Sequence, residues 1–581
     1  MAVEIPVLPV RRRPATIASA FLDTVARRPG DVALRTLDDA PALTWQELAG
    51  RVGAAAGGLR ELGVRRGDTV ALLSANRPEL WVADLAVTMC GATTCPLYTT
   101  LPPNDIEYVV GDAGARVVMV EPALLDLLQR AAPAGVQHVV VLDDAPGSGL
   151  TTLDALEARG EPVDLAAAAA ALEPTDVVTL IYTSGTTAHP KGVELTHAGV
   201  MASVRGWQAA LPVADVRRII SWLPPAHVMD RVLHYSLALA EGFETTTCPD
   251  PRQIARYLTE VRPHLLIAPP RIWEKLRAGV ETAFAGLPSE RREAAYAAIA
   301  AGLQLVRLRD AGNAVPADLE AAVAGADAAL FAGLRERLGL DQLAVAGSGS
   351  APIPLDVLEF FHAIGLDLRQ GYALSETSCS GCVGGPGGVG LGSVGRPLEG
   401  MELRLAADGE ILLRGEALMA GYRHQPDATR EAIDGDGWLH TGDLGTLAPD
   451  GALTIVDRKK EIIITAGGKN IAPARVESEL KAASPLIAHA CAVGDRRPYV
   501  TALLVLDPEA VGDGDDTSVR AAIDAAIARA NTRLARVEQI KRYTLLADEW
   551  RPGGDELTPT LKLRRRAVVS RYAPQIEDMY S

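Results

Sequence analysis

The stretch Tyr182-Thr183-Ser184-Gly185-Thr186-Thr187-Ala188-His189-Pro190-Lys191-Gly192 follows the apolar run Val177 to Ile181 and combines flexible backbone, clustered hydroxyls and one cation. Gly185 lets peptide N–H groups approach oxyanions. Thr183, Ser184, Thr186 and Thr187 add neutral donors and Lys191 a positive charge, a set suited to the phosphate tail of ATP. It is not a Walker A box, because no Gly-Lys-Ser/Thr opens a helix. Taken alone, such a turn after a buried strand serves equally well as an ordinary loop.

Further constellations fit the same chemistry. Ser348-Gly349-Ser350-Ala351-Pro352 and Gln370-Gly371-Tyr372-Ala373-Leu374-Ser375-Glu376 offer small residues that let a flat base approach the backbone. Tyr372 is suited to stack on that base and Glu376 to hold Mg²⁺, a hard cation that prefers carboxylate and phosphate oxygens. Asp443 is suited to accept from ribose hydroxyls, and Arg458 to donate to the sugar or to phosphate. Lys562 stands at a loop-to-helix junction before Arg564, Arg565 and Arg566. Each motif has a plainer alternative: a tight turn, a solvated acid, a surface lysine. Cys379 and Cys382 form a single C-x-x-C with no second pair and read as free thiols rather than a metal or redox site.

The elements that must carry these residues show two periods. Thr44 to Leu62 predicts an amphipathic helix stopped by Gly63, Thr69 to Leu73 a strand, Pro78 to Cys90 a helix and Ala92 to Pro96 a strand. The alternation recurs through Ala115–Val120, Leu124–Arg130 and His138–Leu142, which implies a parallel sheet covered by helices. Ala166 to Ala171 predicts helix or linker, and Pro270 to Leu340 a helical excursion. From Gly395 to Ile455 short strands dominate. A boundary near Asp457 to Lys460 precedes a compact unit of strands and helices.

At 581 residues the chain exceeds one hydrophobic core, and 48% of it is apolar, which supports globular burial. A net charge of −16 excludes a general nucleic-acid binder. Six cysteines in so long a chain make no disulfide framework and point to a reducing, cytoplasmic compartment. Arg11, Arg12 and Arg13 follow the early apolar residues, the reverse of a signal peptide. No strongly basic amphipathic helix stands out as a membrane anchor, so membrane contact is expected to be peripheral if it occurs, and both monomer and oligomer stay open.

The order of these motifs resembles the adenylate-forming superfamily, and the stretches 436–460, 270–275 and 494–499 resemble its long-chain fatty acyl-CoA synthetase branch. That resemblance, from Thr44 onward, implies an α/β protein. A large multi-lobed N-terminal domain, 1–457, would carry parallel-type sheets covered by helices and a β-rich lobe. A small mobile α+β domain, 458–581, would swing on a hinge near Lys460. It implies activation of a medium- or long-chain fatty acid by Mg-ATP and transfer to coenzyme A. A ligase that loads a carrier protein and a non-enzymatic AMP or acyl-AMP binder are the alternatives.

By the same resemblance, Thr183 and Glu376 position Mg²⁺, and residues 183–187 with Lys191 hold the β- and γ-phosphates. Ser350, Ala351, Pro352, Gln370, Gly371, Tyr372, Ser375, Asp443 and Arg458 serve the nucleotide. Lys562 bridges substrate carboxylate and α-phosphate, and His227 lines the acyl site. Gly467, Gly468, Lys469 and Asn470 face the thioester step after rotation. Ala188 departs from the usual glycine. If that position needs positive φ, alanine costs about 1 kcal/mol.

Overall fold

The computed structural model describes residues 14–37, 42–183, 189–385, 390–512, 515–558 and 562–581. Alternation of period 2 and period 3.6 along the first half folds as it reads. Thr44 caps the helix Trp45–Glu61 through a capping box with Glu47, and Gly63 ends it at φ 87°. The alanine tract is helical over Leu165–Ala170, with Asp164 accepting from the N–H groups of Ala166 and Ala167.

The architecture is α/β. Among the described residues an eight-stranded sheet holds Thr69–Leu73 between Thr93–Pro96 and Val117–Val120, all parallel. Val177–Thr183 continues it in parallel, and Lys191–Thr196 then returns antiparallel. Side chains alternate across this sheet: Val70 and Leu72 enter the main core, whereas Ala71 and Leu73 enter a second core beneath it. A nine-stranded sheet runs parallel from Leu368–Ala373 through Val345–Ser348, Leu265–Ala268, Arg218–Ser221 and Glu244–Thr247. The excursion after Pro270 is helical, over Pro270–Ala285, Ser289–Asp310 and Ala317–Ala326. Trp273 roots it, fully buried, edge-on to Phe361 and donating to the Gly347 carbonyl at 3.1 Å.

The short strands from Met401 to Arg458 form a four-stranded antiparallel lobe. Beyond it, Ile487–Val493, Val500–Leu506 and Ile540–Leu546 make a separate sheet. Ala490, Ala492, Ala502 and Leu504 face one core with the helices Pro473–Ala483 and Asp516–Arg533. Cys491, Leu503 and Val505 face another with Trp550, Val568, Tyr572 and Ile576. Arg271 pairs with Asp507 across the two bodies. The Asp457 carboxylate accepts from the N–H of Ala474 at 2.9 Å, at the start of the helix Pro473–Ala483, and burial pushes its pKa up to about 6. No helix among the described residues is long and apolar enough to cross a membrane.

Candidate active site

A cleft of about 1650 Å³ opens where the two large sheets, the antiparallel lobe and the C-terminal body meet. Thr183 reaches it at the carboxyl end of a strand, and Ser350 and Ser375 just past such ends, where open α/β sheets present their loops. Ala351, Pro352, Gln370, Gly371, Tyr372 and Glu376 line it from the same side, and His227, Asp443, Arg458, Lys460, Asn470 and Lys562 from others. Ser350 sits at φ 70°, a left-handed conformation that an L-residue adopts at a cost.

Lys191 stands opposite Thr183 in the antiparallel register, so the two residues are paired at the mouth of the hairpin. Behind it, Gly192 permits close packing: a Cβ there would lie 2.8 Å from the Tyr182 ring. Tyr182 is tethered by its hydroxyl to Asp112 at 2.7 Å. Ser184, Gly185, Thr186, Thr187 and Ala188 lie outside the described residues. The Lys191 ammonium rests 4.7 Å from the centroid of Tyr422, and the Tyr422 hydroxyl donates to Glu376 Oε1 at 2.8 Å.

Asp443 and Arg458 are cross-strand partners in the antiparallel lobe, with Arg458 Nε 3.2 Å from Asp443 Oδ1. Tyr372 donates to the other carboxylate oxygen at 2.7 Å. Burial, then the neighbouring Asp443 charge, drives the Tyr372 pKa far up, so it stays a donor. Burial disfavours the Arg458 cation, yet Asp443 and Glu461 outweigh it and raise the Arg458 pKa. Three groups from two sheets thus make one hydrogen-bonding shelf.

Lys562 arrives from the C-terminal body. Its N–H donates to Thr558 Oγ1 at 3.0 Å while its carbonyl accepts from the Thr558 N–H at 2.8 Å. Its side chain is walled by protein yet reachable by solvent through the cleft. Burial and then Arg458 lower its pKa, against the pull of Asp443 and Glu376. His227 feels the same ammonium: burial, then Lys562 and His234, hold its pKa down to about 3, so the imidazole is neutral. Its Nδ1 accepts from the N–H of Met229 at 3.2 Å, which leaves the proton on Nε2.

The apolar side of the cleft is made by Trp207, Leu211, Met229, Leu233, Ile267 and Val345. A Cβ on Gly347 would lie 2.6 Å from the Ile267 side chain, so glycine there lets Ile267 pack against the strand, whereas one on Gly371 would make only ordinary contact with Trp207, at 3.6 Å. A magnesium ion wants oxygen donors, and Glu376 and Thr183 supply them to the cleft. Among the described residues no group of three or more His, Cys, Asp or Glu could hold a metal. These two oxygen donors are chemically suited to that cation.

Gly467, Gly468 and Lys469 are exposed at the tip of the hairpin Ile463–Ile464/Asn470–Ile471, and only Asn470 of that set reaches the cleft. Arg565 is committed to Glu477, at 2.6 Å, and Glu461, at 3.5 Å. Cys379 and Cys382 are free and buried.

Several site residues escaped the motif reading. Tyr422 is one, because a two-residue strand, Gly421–Tyr422, carries no period. Outside the cleft lining, a buried ionic network one helical turn on from His227 also escaped it. Arg231 pairs with Asp84, and Tyr235 donates to Asp84 at 2.8 Å. Asp84 is legible as an acid amid the apolar middle of the helix Pro78–Met89, whose other acid, Glu79, lies in the first turn. Arg231 and Tyr235 sit in a widened π-helical turn, Asp230–Ser236, a form that is frequent at functional sites.

The AMP-binding enzyme family model matches residues 21–423, and the AMP-binding enzyme C-terminal domain model matches 460–581. The chain belongs to the AMP-binding enzyme family. It is 43% identical over 454 residues to the putative fatty-acid–CoA ligase fadD11 of Mycobacterium tuberculosis, covering 75% of this chain and 79% of that one. It is 36% identical over 563 residues to the long-chain-fatty-acid–CoA ligase FadD15 of the same species, covering 93% and 92%. Its fold matches the crystal structure of the anthranilate CoA ligase AuaEII with anthranoyl-AMP, at TM-score 0.73 and 20% identity over 97% of this chain and 98% of that one.

Proposed function

We propose that the protein joins a medium- or long-chain fatty acid to coenzyme A in two steps within this cleft. The carboxylate attacks the α-phosphorus of ATP, the bond to the bridging oxygen breaks and pyrophosphate leaves. The coenzyme A sulfur then attacks the acyl carbon, the bond to AMP breaks and the thiol proton is released. The observation that carries this reading is Lys562, delivered by the C-terminal body into a cleft already holding Glu376, Asp443, Arg458 and His227. The names of the relatives agree with it.

In this reading Asp443 accepts from the ribose and Arg458 and Tyr372 hold it in place. Ser350, Ala351, Pro352, Gln370 and Gly371 receive the base, and Ser375 faces the α-phosphate. Residues 183–187 and Lys191 hold the outer phosphates. A bound magnesium ion, held by Thr183 and Glu376, would neutralise phosphate charge. Lys562 lets two anions meet by electrostatics rather than proton transfer. Neutral His227 borders the acyl carboxylate without adding a competing cation.

The domains are 1–457 and 458–581, with a hinge at Lys460. Rotation there withdraws Lys562 and brings the 467–470 loop to the thioester step. The setting is cytoplasmic, with peripheral contact where the acyl chain partitions from a bilayer. The test is incubation with ATP, Mg²⁺ and a fatty acid panel, with and without coenzyme A, followed by mass spectrometry. Acyl-CoA with AMP supports the reading. Acyl-AMP that persists in coenzyme A points to a carrier-protein acceptor, and nucleotide binding without turnover refutes an enzyme.

A further inference from the structure

At the mouth of the 183–191 hairpin one side chain, Tyr422, touches two opposite charges. Lys191 and Glu376 form no ion pair with each other in the described structure. Instead the ammonium lies against the Tyr422 ring, and the carboxylate takes the hydroxyl of that same residue. An aromatic face attracts a cation, and a phenol donates well to a carboxylate, so one residue satisfies both charges at once.

The backbone around Tyr422 is fixed on every side. Gly421 and Tyr422 pair antiparallel with Glu194 and Val193 of the strand that carries Lys191. The Arg423 N–H donates to the Gly192 carbonyl at 2.7 Å, and the Tyr422 N–H donates to Thr429 Oγ1 at 2.9 Å. The Met419 N–H donates to the carbonyl of Glu376 itself at 2.8 Å. The segment 419–423 therefore stitches the Glu376 turn to the phosphate hairpin, with Tyr422 at the seam.

We infer that Tyr422 is a positioning residue that holds Lys191 and Glu376 apart, so that neither neutralises the other before a nucleotide and its metal arrive. This rests on the nucleotide-binding part of the function proposed above. A leucine in its place would remove the spacer and let the lysine and the glutamate pair directly.

Calorimetric titration of the full-length protein, without fatty acid, tests this with MgATP and with ATP in EDTA. Y422F keeps the ring and loses only the hydroxyl. It should weaken MgATP binding about tenfold while changing metal-free ATP binding less than about twofold. Y422L should weaken both. In turnover, KM for ATP should rise in Y422F while KM for the fatty acid holds. Wild-type MgATP affinity in Y422F overturns the inference. So does an equal loss with and without metal, or a lowered melting temperature in Y422F that accounts for the loss. A wild-type protein that binds MgATP but makes no acyl-AMP sinks the proposed function and leaves this inference standing.

Discussion

Replacing Lys562 by alanine removes a cation that the C-terminal body brings into the cleft beside Arg458, Asp443 and Glu376. An ammonium about 4 Å from a phosphate oxygen interacts with it by about 4 kcal/mol at an effective dielectric of about 20. Solvent reaches this side chain, and discounting for screening leaves about 2–3 kcal/mol, or a roughly 30- to 150-fold loss. The loss belongs to one half-reaction. Pyrophosphate release in a single turnover should fall by that factor in K562A, whereas acyl-CoA formation from supplied acyl-AMP should stay within about twofold. The pH profile adds a sign. Burial lowers the Lys562 pKa, so kcat/KM for adenylation should fall with rising pH at a value below the ordinary lysine range, and K562R should move that limb upward. Equal losses in both half-reactions would refute the reasoning.

Gly468 holds φ 70° at the exposed hairpin tip, so G468A should strain it by about 1 kcal/mol and slow thioester formation more than adenylation in stopped-flow assays. His197 and His489 are held down to about 4 and His227 to about 3, chiefly by burial. Folded pKa values below the unfolded 6.5 mean stability that is present above pH 6.5 and lost as pH falls towards 4. Urea unfolding at pH 7.5 and pH 5 should show a loss of about 1–2 kcal/mol per histidine, and H197N should flatten the slope. D84A strands the Arg231 charge in the core and should cost about 3–5 kcal/mol by denaturant midpoint, with the D84A/R231M pair recovering part of it.

Local patterns were the legible part of this chain. The strands and helices between Thr44 and Val141 follow from period and caps, because a helix or strand face is decided by residues two to four positions apart. The cleft residues were legible as motifs, since nucleotide chemistry demands small residues, acids and cations in runs. What could not be read were partners set by topology. Asp84 meets Arg231 across 147 residues and Tyr422 meets Glu376 across 46, and neither separation leaves a trace in local periodicity. Lys562 was found as a motif, yet its seat beside Asp443 and Glu376 depends on how two bodies dock. The hydroxyl-rich core of the loop after Thr183, 184–187, falls outside the described residues.

The sheet Ile487–Val493/Val500–Leu506/Ile540–Leu546 is cushioned by apolar side chains on both surfaces. A slab clamped in that way resists bending, so the C-terminal body is built to move as one piece. In the function proposed above, withdrawal of Lys562 and arrival of the 467–470 loop would then be a single motion, and coenzyme A would meet an adenylate only after that cation had been carried away.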